Sequence, residues 1–112
     1  MGYRVVITPE AQRGIERDLG FMARRASRAV VQRWYAGLVA AIGSLAEMPE
    51  RCGLIREGPM FDEELRQLFY GRARYRRRVI FVIKGDTVHG VHYRHGSLPP
   101  MTGSGGGEVG RS

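Results

Sequence analysis

The sequence predicts an α+β fold in which a strand and a helical hairpin precede a three-stranded antiparallel meander, in the order βααβββ within one small sheet. Three observations carry that reading: a period-two segment near the N-terminus, two consecutive segments with apolar residues at helical spacing, and an apolar run joined by a glycine turn to a second strand-like run. With 112 residues there is room for one core of ordinary size.

The first strand is read over Tyr3 to Ile7, with Tyr3, Val5 and Ile7 on one face and Arg4 and Val6 on the other. Thr8, Pro9 and Glu10 then form a helix start. Thr8 can cap, Pro9 has no N–H to leave unsatisfied, and Glu10 complements the helix dipole. The helix is expected from Pro9 to about Arg25, with Ile15, Leu19 and Met22 on its core stripe. Ser27 is a second capping residue, after which Val31, Trp34, Leu38, Ile42 and Leu45 keep helical spacing until Pro49 forbids it.

From Glu47 to Glu64 no period is sustained, and Pro49, Gly53, Gly58 and Pro59 stand among six of the chain's eleven acidic residues. This predicts a long surface connection. Leu65 to Tyr70 reads as a second strand, and Val79 to Ile83 is apolar enough to be a central one. In Lys84-Gly85-Asp86-Thr87 a glycine occupies the first central position of a tight hairpin turn, so Val88 to His95 returns antiparallel. The domain is read over residues 1–96. The Pro99-Pro100 pair and the glycine run at 105–107 predict a flexible tail over 97–112.

Net charge is +7 and the isoelectric point about 10.5, which favours an anionic partner. Lys84 is the only lysine, so this charge is almost wholly guanidinium, whose planar fork matches phosphate and carboxylate oxygens in pairs. Cys52 stands alone, which excludes an intrachain disulfide and a thiol-rich metal centre and suits a reducing cytoplasm. No signal-peptide layout opens the chain and no apolar run approaches the roughly 20 residues that span a bilayer; neither secretion nor a membrane partner is expected. A serine-nucleophile elbow of the Gly-x-Ser-x-Gly type is absent.

The charge is densest at Arg72, Arg74, Arg76, Arg77 and Arg78, five arginines in seven residues. Strand alternation sends Arg76 and Arg78 to the face away from the helices and Arg77 toward them. Counting back from the Gly85 turn sets Arg76 to Arg78 roughly beside His92 to Arg94. A patch of Arg, His and Tyr from two neighbouring strands follows. Such a patch can hold phosphate, and a histidine beside a phosphodiester can move protons near neutral pH. His89, His92 and His95 recur every third residue, which divides them between strand faces, so no metal site is expected.

The chain resembles the RelE/ParE superfamily of type II toxin–antitoxin toxins. The resemblance rests on Tyr3-Arg4-Val5-Val6-Ile7-Thr8-Pro9-Glu10-Ala11, Leu45-Ala46-Glu47-Met48-Pro49, Arg78-Val79-Ile80-Phe81 and Val91-His92-Tyr93-Arg94-His95-Gly96, and spans residues 3–96. It implies a bacterial toxin neutralised by a cognate acidic antitoxin and inhibiting growth by ribosome-dependent mRNA cleavage, with inhibition of DNA gyrase without nuclease activity as the alternative. On the mRNA branch it implies a metal-independent endoribonuclease without cofactor. Arg78 would contact the scissile phosphate and His95 would act as general acid or base, with Arg74, Arg76, Arg94 and His92 as phosphate ligands. A non-catalytic nucleic-acid-binding module is the other class compatible with the arginine strand, with Tyr70, Tyr75 and Tyr93 available for base stacking.

Overall fold

A computed structural model describes residues 2–56 and 63–95. The expected tail over 97–112 lies outside the described residues. The order is β1 (Arg4–Ile7), α1 (Pro9–Ala23), α2 (Arg28–Gly43), β2 (Arg66–Tyr70), β3 (Arg77–Lys84) and β4 (Thr87–His95), as the sequence predicts. One four-stranded sheet runs β1-β4-β3-β2; β1 lies parallel to β4, and the other two pairings are antiparallel.

Local chemistry sets the ends of the elements. The Thr8 hydroxyl accepts from the Ala11 N–H at 3.3 Å, and the Ser27 hydroxyl accepts from the Val30 N–H at 3.2 Å. The helices end earlier than expected, at Ala23 and Gly43, and after α2 the chain goes on as short 3-10 turns at Ser44–Ala46 and Pro49–Arg51. Gly85 adopts φ 61, the left-handed value that the first central position of the β3–β4 turn requires. Together α2 and the turn after it, Arg28–Ala46, form 19 residues long and apolar enough to cross a bilayer. Leu38, Ile42 and Leu45 of this stretch are buried in the fold, whereas Val30, Tyr35 and Val39 are exposed.

The sheet has a core on each face. On the helix side Ile15, Leu38, Ile42 and Val79 pack with Val5, Ile7, Leu19 and Leu68, and Phe81, Val88 and Leu45 extend this layer. On the other side Ile55, Leu65, Ile80 and Val82 form a smaller cluster that Val91 joins. The segment read as a surface connection is therefore partly structural. It buries Pro49 and Ile55, and Leu54 bridges to Arg66.

Gly37 in α2 marks a close approach. A Cβ on Gly37 would lie 2.1 Å from the Tyr70 hydroxyl, which donates to the Trp34 carbonyl at 3.0 Å. Gly14 of α1 lies over Tyr93 of β4 with more room, since a Cβ there would stand 3.6 Å from that residue, an ordinary contact.

Candidate functional site

The basic segment and the end of β4 do meet, with a register that differs from simple counting. A bulge between Ile80 and Phe81 leaves Val91 without a direct partner on β3, so Ile80 faces His92, Val79 faces Tyr93, Arg78 faces Arg94 and Arg77 faces His95. Directly opposed residues share a face of the sheet. His95 therefore lies with Arg77 on the helix side, and Arg78 with Arg94 on the other. The bulge also puts His89 and His92 on one face, opposite Val82 and Ile80, where the period of three had separated them.

On the helix side Arg77 is only 3% exposed. Its Nε and Nη2 donate to the two oxygens of Asp18 at 2.7 and 3.1 Å, and its Nη1 donates to the Arg74 and Arg76 carbonyls at 2.9 and 3.2 Å. The Tyr93 hydroxyl also donates to Asp18. Burial opposes the charge on Arg77, but the hydrogen bonds and charge of Asp18 outweigh it and raise the guanidinium pKa. Burial, then the Asp18 contact, raises the Tyr93 phenol far above its ordinary value. A cleft of about 230 Å³ lined by Gly14, Arg17, Asp18, Arg77, Tyr93 and His95 opens over this triad. A second lobe of about 330 Å³ shares Asp18, Arg77 and His95 and adds Phe21, Arg25, Arg74 and Tyr75.

On the opposite face Arg78 is 2% exposed, and its Nη1 donates to the Gln67 side-chain oxygen at 2.8 Å. The face away from the helices, to which strand alternation sends Arg78, is thus a packed one: Ile55, Leu65, Ile80 and Val82 form a second core there. The Arg76 guanidinium stacks 4.1 Å from the centre of the Phe69 ring. Phe69 pairs with Arg78, which puts Arg76 on this face as well. His92 Nδ1 lies 3.3 Å from Glu10 Oε2 at the start of α1.

The six residues singled out from the sequence thus divide. Arg76, Arg78, His92 and Arg94 share the face away from the helices, while His95 and Arg74 belong to the helix-side cleft. Arg78 and His95 are not brought together. Asp18 escaped the sequence reading, although a carboxylate beside the Ile15-Leu19-Met22 stripe was the available signal, since such a position calls for a buried partner. Gln67 carried no comparable signal.

A solved structure described as "Chromosomal ParDE TA system from P. aeruginosa" superposes on this chain with a TM-score of 0.69, covering 83% of this chain and 95% of that one at 14% identity. The chain has a ParE-like fold. The overlap takes in nearly the whole of the matched chain, so the likeness extends over the domain and beyond a shared hairpin. No family model and no curated protein matches the sequence. The ParE-like fold leaves the chemistry of the site to be argued from its own residues.

Proposed function

We propose that this chain is the toxin of a type II toxin–antitoxin pair, held inactive by an acidic antitoxin, and that it arrests growth by binding DNA gyrase without cutting RNA. The toxin reading is supported by the ParE-like fold, by the toxin–antitoxin system to which the matched structure belongs, and by a net charge of +7 that suits an acidic partner.

One observation carries the choice of target. Ribonuclease action through Arg78 and His95 requires both side chains at one phosphate, and the β3–β4 register directs them to opposite faces of the sheet. Arg78 is moreover buried and bonded to Gln67, so reaching a phosphate would mean giving up that contact. Action by binding makes no such demand.

The test pairs two assays on the purified protein and on induced cells. Inhibition of gyrase supercoiling, relieved by the antitoxin and without new mRNA ends in primer extension, is the expected result. Ribosome-dependent cleavage abolished by Arg78→Ala or His95→Ala, with supercoiling unaffected, would restore the nuclease reading. If expression left growth unchanged, the toxin reading itself would fail.

A further inference from the structure

The helix-side cleft has features that a role in holding the fold together does not use. Its two lobes, about 230 and 330 Å³, share Asp18, Arg77 and His95 in their linings, and the larger reaches the lower end of the range of small-ligand sites. Among the described residues Asp18 is the only carboxylate lining either lobe, and Arg77 and Tyr93 already engage it. Arg17, Arg25 and Arg74, all exposed, therefore face the cleft as excess positive charge.

Aromatic surface accompanies that charge. Phe21 is 44% exposed, with the Arg25 guanidinium 3.8 Å from its ring centre, and Tyr75 lines the same lobe. The Arg25 guanidinium covers one face of the Phe21 ring, which leaves the other face and the Tyr75 ring to stack on a base while the guanidinium forks hold its phosphate oxygens. An acidic peptide would match the charge and leave the ring faces unused.

The turn that carries Arg74 and Tyr75 is held in a demanding conformation. Gly71 has φ 86, and a Cβ there would lie 2.3 Å from the Tyr75 carbonyl oxygen; Ala73, a non-glycine residue, has φ 54. The donors of buried Arg77 not given to Asp18 fasten the Arg74 and Arg76 carbonyls. Arg77 is thus a positioning residue that sets Arg74 and Tyr75 over the cleft.

We propose that this cleft binds a nucleoside phosphate, with Arg17, Arg25 and Arg74 on the phosphate and Phe21 and Tyr75 against the base. The ligand is either a free nucleotide or one unit of a single strand. The site is separate from the Arg78 face and does not depend on which target the toxin reading assigns.

The test measures binding of the full chain to a fluorescein-labelled single-stranded RNA decamer, with uridine and adenosine 5′-monophosphates and polyglutamate as competitors. Arg25→Ala and Arg74→Ala each weaken binding roughly 10-fold and lower the salt slope by about 0.7; Tyr75→Leu weakens it by a similar factor and leaves the slope unchanged. Arg74→Ala keeps the main-chain carbonyl that Arg77 holds, and circular dichroism checks each variant's fold. Arg76→Ala on the opposite face binds as the unaltered chain does. Competition by a mononucleotide as strong per site as by unlabelled decamer assigns a free nucleotide, and preference for the decamer assigns a strand. Absence of binding, equal affinity in all variants, loss only in Arg76→Ala, or displacement by polyglutamate with Tyr75→Leu unaffected would each overturn the proposal.

Discussion

Arg78 and His95 lie on adjacent strands yet point to opposite faces of the sheet, because Arg78 is paired with Arg94 and His95 with Arg77. Side chains separated by a sheet do not touch, and their substitutions should act independently. A double-mutant cycle on Arg78→Ala and His95→Ala, read by urea unfolding, is expected to give a coupling under about 0.5 kcal/mol. Arg78→Ala alone should cost about 1–3 kcal/mol, since it leaves the Gln67 oxygen without this donor. A coupling well above that bound would contradict the assignment of faces.

The ion pair between Arg77 on β3 and Asp18 on α1 ties the helix layer to the sheet. Removing one member strands a buried charge, so Asp18→Ala is expected to lose about 3–5 kcal/mol. Replacing both by apolar residues of similar volume, Asp18→Leu with Arg77→Met, should recover part of that loss: the desolvation cost disappears with the charges, while the Tyr93 hydroxyl and the Arg74 and Arg76 carbonyls lose these partners. If the double variant were no more stable than Asp18→Ala, the pair would have to contribute more than its own desolvation cost. Circular dichroism melts decide the comparison.

Tyr93 supplies a pH dependence on the alkaline side. Its phenol is raised above the ordinary value of 10.0 by burial and by donation to Asp18. A raised folded-state pKa means that the unfolded chain releases this proton first as pH rises. The contribution is therefore complete below about pH 10 and fades as pH climbs toward the folded-state value. Urea unfolding between about pH 8 and about pH 11 should show the unaltered chain losing stability faster than Tyr93→Phe. Parallel curves would mean that Tyr93 does not hold its proton as the geometry implies.

Gly37 and Tyr70 make a third pair open to test. Alanine ordinarily favours a helix interior over glycine by about 1 kcal/mol. Here the new Cβ would lie 2.1 Å from the Tyr70 hydroxyl, so the ring must move and its bond to the Trp34 carbonyl is lost. Gly37→Ala should therefore destabilise by about 1–2 kcal/mol. The same change made in a Tyr70→Phe background should cost less, since the clashing oxygen is gone. Equal costs in the two backgrounds would rule out that contact as the cause.

By itself the sequence determined the element order, the capping residues Thr8 and Ser27, the turn at Gly85, and the direction of Arg77 toward the helices. Each depends on local propensity or on alternation within one strand, and both are written in neighbouring residues. Tertiary structure decided the rest. The bulge near Ile80 and Phe81 shifts β4 by one residue against β3, and with a side-chain period of two such a shift exchanges faces. It put His95 beside Arg77 and parted it from Arg78. Arg78 is likewise buried on the face where Ile55 and Leu65 build a second core, and Ile55 comes from a segment with no strand or helix period, whose packing no local pattern announces.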